Sequence, residues 1–422
     1  MARGAPETDG TPVTPVARRR GASLLTLLYL ALCLACALPA AAGPVSHGAG
    51  GWVRQRSGTV SSLFGVTFCG VHGWAVGDRG VIIATVDDGA SWRAQTTPTP
   101  ARLVAVDFCN ATHGWAVGPG GVVLATTDGG AQWNPQGSGT TNVLIAVAAL
   151  DPARVWTVGE AGTILATTDG GLTWVPQDSG TTEDLYGVAF SDAAHGWAVG
   201  NEGCIVATTD GGATWSAQYS VTQAHLDGVA FSDATHGWAV GQNGTIVSTA
   251  NGGRTWRRQR ASTDAYLGGV TFADALHGWA VGAAGASGVI LGTSDGGETW
   301  RTQSLSAESV LAIACTGPRR AWAVGANGTV LAAIGAGAPA VASLQPASGR
   351  RGALVVIRGS GFGSRRGSGS VKFGSTTCTS YRSWSATRVS CAVPSASRLG
   401  TVRVIVATSA GTSNAVAYTV RR

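Results

Sequence analysis

The sequence is short of charge. Asp, Glu, Lys and Arg together make 12% of its 422 residues, about half the usual globular share. Lysine is almost missing: of 29 basic residues only Lys372 is one. So uniform an arginine bias reads as codon composition rather than binding chemistry. Residues 339–422 contain no carboxylate at all. Glycine is plentiful, with 63 residues, but shows no three-residue period, which excludes a collagen-like chain. What is abundant argues for a folded protein. An apolar share of 44% and 15 tryptophans give ample material for a core and exclude intrinsic disorder.

The charge that is present is unevenly placed. Residues 1–43 carry net +2, residues 44–338 carry −8, and residues 339–422 carry +12. The last break falls at a Gly/Ala-rich joint ending at Pro339, so three regions are expected with these bounds. In the first, Arg18-Arg19-Arg20 precedes an uncharged apolar run from Ala22 to Ala42. That run is long enough for one membrane-spanning helix, which needs about 20 residues, and the arginines would hold its start in the cytoplasm. Small residues at its end, Ala40-Ala-Ala42-Gly43, suit signal peptidase. A cleaved signal and a retained anchor both fit. Either sends the remainder out of the cytoplasm, secreted or held at the cell membrane by residues 22–42.

Internal repetition decides the fold class. A motif like His-Gly-Trp-Ala-Val-Gly places Trp74, Trp115, Trp156, Trp197, Trp238, Trp279 and Trp322 at spacings of 41 residues five times and then 43. A second motif, Trp-x-x-Gln, starts at Trp52, Trp92, Trp133, Trp174, Trp215, Trp256 and Trp300. Seven repeats of this length match the four-stranded blade of a β-propeller. Each unit reads as four short strands between Gly-rich turns, as in Leu185-Tyr-Gly-Val-Ala-Phe190, Trp197-Ala-Val-Gly200, Cys204-Ile-Val-Ala-Thr-Thr209 and Thr214-Trp-Ser-Ala-Gln218. One position of the first strand is always small: Gly65, Ala105, Ala146, Gly187, Gly228, Gly269 and Ala312. Strands converging on an axis leave no room there, so this strand is the innermost. The last repeat lacks its own Trp-x-x-Gln, whereas Trp52 precedes the first repeat. The amino-terminal segment is therefore expected to supply the outer strand of blade seven and leave no open sheet edge.

The turn before the fourth strand reads Thr-x-Asp-x-Gly-x-Thr-Trp. It recurs with Asp87, Asp128, Asp169, Asp210 and Asp295, and with Asn251 in the fifth blade. This resembles the Asp-box, or bacterial neuraminidase repeat, in which Asp accepts hydrogen bonds from its own turn. The span from about residue 51 to 337 resembles the propellers of photosystem II assembly and stability factors, and more distantly sortilin-type and glycosidase propellers. The resemblance implies a protein-binding scaffold and does not carry a photosynthetic role. From residue 339, the runs Ile357-Arg-Gly359-Ser-Gly361-Phe362-Gly363, Cys391-Ala-Val393-Pro394 and Gly400-Thr-Val-Arg-Val-Ile-Val406 resemble an IPT/TIG domain. That resemblance implies an immunoglobulin-like sandwich with no catalytic residues to transfer. The fold class is thus all-β, a seven-bladed propeller with a carboxyl-terminal sandwich.

Five of the seven histidines, at 72, 113, 195, 236 and 277, hold one turn position on different blades, which is unlike the converging set a zinc ion needs. They and the Asp-box carboxylates read as structural, and no metal or cofactor is expected. A sialidase-like enzyme would by resemblance need three clustered arginines and an Arg-Ile-Pro start, and the latter is missing. Asp227 stands alone where the other inner strands have Phe64, Val104, Ile145, Tyr186, Gly268 and Leu311. It reads as a solvated channel residue, with a ligand contact as the sharper alternative. Cys378 and Cys391, twelve residues apart after export, are expected to form a disulfide. Cys69 and Cys109 are a weaker pairing, and Cys204 reads as a small buried hydrophobe.

In propeller topology the turns after the second strand and the links leaving the fourth share one rim. That rim would hold Asp78, Arg79, Glu160, Glu202, Gln242, Asn243 and Asn327, with Asp178, Glu183, Asp184, Tyr266 and Glu308 from the links. Loops on a rigid scaffold are where recognition concentrates. The function read from the sequence is a non-enzymatic binding or assembly scaffold at the cell envelope, monomeric, with a protein partner on that rim. The basic carboxyl-terminal region would face an anionic membrane or envelope polymer. Nucleic acid is not expected as a partner. A glycan-acting propeller and an adhesion protein working through the IPT/TIG-like region are the alternatives.

Overall fold

Each repeat folds as a four-stranded antiparallel meander, and in the computed structural model seven meanders close into a ring. The structure describes residues 51–334, 339–363, 366–367, 369–385, 387–408 and 411–422. The arginine run and apolar stretch of the amino terminus, the joint at 335–338 and Arg365 lie outside the described residues. Among the described residues no helix is long and apolar enough to cross a membrane.

The first blade runs Leu63–Cys69, His72–Gly77, Ile82–Thr85 and Arg93–Gln95 from the axis outward. Blades two to six repeat it, their inner strands being Ala105–Phe108, Leu144–Ala149, Leu185–Phe190, Leu226–Phe231 and Tyr266–Phe272. Blade seven consists of Val310–Gly317, Arg320–Gly325 and Val330–Ile334, and its outer strand is Val53–Gln55. Arg54 pairs with Leu331 in that closure, as the motif spacing requires. The outer strand is the least regular part of the unit: in blade four it shrinks to Ser216–Ala217.

The small residue of the inner strand has a measurable reason. A Cβ on Gly65 would lie 2.9 Å from the Cα of Ala105 in the next blade, and one on Gly228 would lie 3.2 Å from the Cα of Gly269. Adjacent inner strands therefore approach backbone to backbone. Immediately before this residue six of the seven inner strands carry a β-bulge, between Leu226 and Gly228 in blade five for example. The extra residue of a bulge is freed from the ladder's alternation and re-aimed. In blade five that residue is Asp227.

Blades are joined through tryptophan. The indole of Trp74 stacks on Phe108 of the next blade at 3.5 Å between centroids, and its Nε1–H donates to the Gly129 carbonyl at 2.9 Å. The same pair of contacts links Trp197 with Phe231 and Gly252, and Trp238 with Phe272 and Gly296. The ring closes identically, with Trp322 stacked on Phe68 and donating to the Asp88 carbonyl. Aromatic pairs contribute about 1 kcal/mol beyond the area they bury. The second tryptophan of each unit also reaches across, to the glutamine of the preceding Trp-x-x-Gln: Trp92 to Gln55, Trp133 to Gln95, Trp174 to Gln136, Trp215 to Gln177, Trp256 to Gln218 and Trp300 to Gln259.

The carboxyl-terminal sandwich packs one sheet, Ala340–Gln345, Leu354–Ser360, Arg388–Ala392 and Tyr381–Ser385, against another built around Gly400–Thr408 and Val416–Arg421. Val355, Ile357, Phe373, Val404, Val406 and Tyr418 form its core. Cys378 and Cys391, the pair expected to form a disulfide, stand side by side in the core of the sandwich. Both are buried free thiols, and the Cys378 sulfur is turned onto the carbonyls of Ser380 and Ala392, at 3.3 and 3.1 Å. A hydrogen bond between the two thiols, together with burial, pushes Cys391 well above the usual thiol range. Cys69 and Cys109 are likewise free and half-buried, and Cys204 is half-buried rather than buried.

Deleting residues 44–56 removes the outer strand of blade seven and the Gln55 acceptor of Trp92. The shortened chain should aggregate or melt far below the intact one, because an exposed edge invites pairing with other chains. A monomer with unchanged Tm in light scattering and calorimetry would contradict this account of closure.

Candidate functional site

The two sets of carboxylates that repeat are committed to folding. In the Asp-box of blade one, Asp87 accepts from the Thr85 hydroxyl at 2.7 Å, the Ser91 amide at 2.8 Å and the Ser91 hydroxyl at 2.7 Å. Hydrogen bonds from Ser91, side chain first and then backbone, with that from Thr85, hold its pKa at about 2. Asp128, Asp169, Asp210 and Asp295 make equivalent bonds, and Asn251 accepts from Thr249 and from the Thr255 amide in the same way. Three of the five turn histidines pair with an Asp three residues earlier, His195 with Asp192 at 2.9 Å, His236 with Asp233 at 2.9 Å and His277 with Asp274 at 3.0 Å. Among the described residues no three His, Cys, Asp or Glu side chains gather as a metal site would.

In every blade but the sixth, the turn after the second strand is a single 3-10 turn whose middle residue is left-handed. This places Arg79 (φ +58°), Glu202 (+51°) and Asn243 (+55°), all exposed, on one rim. Non-glycine residues enter that region at a cost of roughly 1–2 kcal/mol, which Asn bears best. For Arg79 and Glu202 the conformation fixes a charge at the rim. The links between blades, both those entering a blade and those leaving it, meet these turns. Arg102 donates to Asp78 at 2.8 Å, Glu160 accepts from the Val143 amide at 3.3 Å, and Asp184 accepts from the Ala161 amide at 2.8 Å. Glu183 accepts from the Asn201 side chain at 2.6 Å, and the Glu202 amide donates to His225 Nδ1 at 3.1 Å. Among the other rim residues, Gln242 is half-buried, Asn327 is exposed at a left-handed turn, and Asp178 accepts from the Gly180 amide. Glu308 is drawn away to Arg54 of the closing strand.

Inside this rim, at the channel mouth, blades four to six depart from the others. Asp227 is not the solvated residue expected from the sequence. It is 8% exposed, its Oδ1 accepts from the Tyr266 hydroxyl at 2.7 Å, and its Oδ2 is buried without a hydrogen-bond partner. The physical reason is Gly268: the missing side chain in blade six makes room for the Tyr266 ring, whose Cε1 lies 3.4 Å from where a Gly268 Cβ would be. Beside them Tyr186 meets His225 edge to face at 6.4 Å. His225 Nδ1 is an acceptor, so in the neutral ring the proton sits on Nε2. Burial pushes the Asp227 pKa up to about 7, and the Tyr266 hydrogen bond only partly offsets it.

The sequence reading placed Asp184, Glu202 and Tyr266 on one rim with Asp78, Arg79 and Glu160, which lie on other blades, and singled out Asp227 separately on its inner strand. It missed Tyr186 and His225 as members. It also missed a second odd carboxylate, Asp107, which accepts from the Ala149 amide, the Phe108 amide and the Thr67 hydroxyl and ties three blades together. Comparing equivalent positions would have found it, since its counterparts are Thr67, Ala148, Ala189, Ala230, Thr271 and Ala314.

Seven blades, six of them with an Asp-box turn, locked by inter-blade indole bonds and followed by a sandwich, define a class: an Asp-box β-propeller followed by an immunoglobulin-like module. The family model for the photosynthesis system II assembly factor YCF48 matches residues 49–136, 92–176, 174–227 and 218–267, and the chain belongs to that family. The IPT/TIG domain model matches residues 339–420. Among solved structures, YCF48 from Cyanidioschyzon merolae is 23% identical with a TM-score of 0.57, covering 67% of this chain and 98% of its own. A YCF48 bound to a D1 peptide is 21% identical with a TM-score of 0.57, covering 69% and 98%. A streptogramin B lyase shares the fold at 14% identity and a TM-score of 0.58, covering 68% and 99%. No curated protein matches the chain.

The Asp227 environment yields a signed prediction. The native carboxyl keeps its proton to about pH 7, whereas an unfolded Asp loses it near, roughly, pH 4. Between those values the native state binds more protons, so the wild type loses stability as pH rises, and the loss is complete above about pH 7. Relative to Asp227→Asn the loss should be on the order of a few kcal/mol. Tm curves for the two proteins between pH 4 and 8 should diverge with rising pH; parallel curves would contradict the burial argument.

Proposed function

We propose that this protein is a non-enzymatic scaffold of the cell envelope that captures a partner polypeptide on the rim bearing the 3-10 turns. One observation carries the reading. A framework that repeats from blade to blade departs from itself at the channel mouth, where Asp184, Tyr186, His225, Asp227 and Tyr266 cluster in blades four to six. Packing asks for repetition, and a buried carboxylate with one oxygen unpaired is costly to packing. Strain and unmet polar groups concentrate where function holds them. The family's name as assembly factors and the D1 peptide bound by one member support a polypeptide as the kind of partner. The glycan-acting alternative has no carboxylate to spare among the Asp-boxes, each of which is consumed by its own turn.

Export by the Arg18–Arg20 signal and apolar run is part of the proposal, as is a monomeric state. The sandwich supplies a second contact. Arg350 stands directly opposite Arg421 and Arg358 opposite Arg388, all exposed, in a region without a carboxylate. Like charges directly opposite are destabilising, and an anionic membrane or envelope polymer would relieve them. Such a contact would be screened beyond about 8 Å at physiological salt.

A photo-crosslinking residue in place of Glu202, in the full chain in its native cell, should trap one discrete protein. The same residue in place of Thr235, which is exposed in a turn between the inner and second strands, should not. Charge reversal by Glu202→Arg should cut capture several-fold with Tm unchanged. Equal trapping from both positions, or capture indifferent to Glu202, would discard this rim.

A further inference from the structure

The two buried cysteines of the sandwich sit where a single bond would join its two sheets. Cys378 directly follows the short strand Thr376–Thr377. Its amide donates to the Val371 carbonyl at 2.7 Å, so its backbone belongs to the sheet built around Gly400–Thr408. Cys391 lies on Arg388–Ala392 in the facing sheet, opposite Val355 on one side and Tyr381 on the other. The Cys378 sulfur crosses between the sheets and lies 3.1 Å from the carbonyl of Ala392, the residue next to Cys391. The Ala392 amide donates to the Ser380 carbonyl at 3.0 Å, which holds the chain just after Cys378 against the Cys391 strand. Both side chains are enclosed by one core with Val355, Phe373 and Val404. Other cysteines meet different groups: Cys109 reaches the His113 carbonyl at 3.7 Å, and Cys315 the Thr271 hydroxyl at 3.2 Å.

The sandwich has reason to need such a tie. Residues 339–422 hold no Asp or Glu, so no ion pair between their own side chains can form, and Arg358 stands opposite Arg388 on the Cys391 strand. A domain of this size has a small core to set against that repulsion. Small exported domains in this position are commonly cross-linked.

We propose that Cys378 and Cys391 are joined in the working protein by a disulfide that staples the two sheets of the sandwich. The bond rests on the export reading, because an oxidising compartment is what lets it persist. It forms by thiol–disulfide exchange while the sandwich is folding. One cysteine thiolate attacks an oxidant disulfide, that of oxidised glutathione or of a dithiol oxidase, and releases one oxidant thiolate. The second cysteine displaces the other half, so two electrons and two protons leave the protein and the oxidant becomes two thiols. Once made, the bond is shielded, since Cys378 is 3% and Cys391 0% exposed and an attacking thiolate must reach sulfur. It therefore acts as a permanent staple.

The test refolds the full chain from the reduced, denatured state in a mixture of reduced and oxidised glutathione. The product is alkylated and digested with trypsin without reduction. Cleavage at Lys372, Arg382, Arg388 and Arg398 should leave peptide 373–382 linked to peptide 389–398. The link should survive dithiothreitol in native buffer and be lost when guanidinium is added. In calorimetry the sandwich of the oxidised chain should melt about 10 °C or more above that of the reduced chain. Alkylation of both cysteines after refolding, or a linked chain that melts no higher than the reduced one, would overturn the staple. Acid-trapping of thiols in the native cell separates this from export. A pair that links in the refolding mixture but is alkylated in protein from cells would overturn the bond in the working protein through the export reading. A pair that links in neither would overturn it on its own chemistry and leave export standing.

Discussion

A buried indole N–H must find an acceptor, and in this ring the acceptor belongs to the neighbouring blade. Trp74, Trp156, Trp197 and Trp238 each reach a glycine carbonyl of the next Asp-box, and Trp322 does the same across the closure through Asp88. The glutamine of each outer strand accepts from the next blade's second tryptophan, and Gln95, Gln136 and Gln259 also donate to the same glycine carbonyls. Apart from Trp279, which donates to Gln303 of its own blade, these tryptophans are satisfied only by a neighbouring blade. Losing one partner from such a bond leaves a buried donor unmet, at about 1–3 kcal/mol, and the cost falls on two blades at once. The arrangement also accounts for the shortage of charge, because neutral indole and amide groups hold the blades together where ion pairs would need desolvating.

Where a blade departs from the pattern, the bond adapts. Blade seven has no Asp-box, so Trp279 and Trp52 both donate to Gln303. Trp115 and Trp279 lack a phenylalanine in the next inner strand, where Ala149 and Cys315 stand instead. These are the joints at which the ring is least reinforced by stacking.

Much of this was legible before any coordinates. Tryptophan spacing pointed to seven blades and the closure through Trp52, and the always-small position to the innermost strand, because a repeat of 41 residues constrains every copy at once. The role of the Trp-x-x-Gln glutamine was not legible, since its partners lie in the next blade, 37 to 41 residues on. Asp227 was found as an exception but misplaced in water. Its burial depends on Gly268 and Tyr266, two ordinary residues until the bulge and the next blade bring them together. Spacing suggested that Cys378 and Cys391 lie close together, and the structure sets the two side by side. Tyr186 and His225 were missed because neither breaks a motif. They matter only as neighbours of one that does.

A repeated framework holds the ring, and the proposed partner face is the unrepeated sector of blades four to six. The most direct test is a substitution scan around the ring, reading partner capture and Tm for each variant. Alanine at Gln95, Gln136, Gln177 and Gln218 should lower Tm, with capture falling only as the fold is lost. Alanine at Glu202 and His225 should abolish or weaken capture at nearly native Tm. Capture losses scattered evenly over the seven blades, or tracking Tm residue by residue, would contradict it.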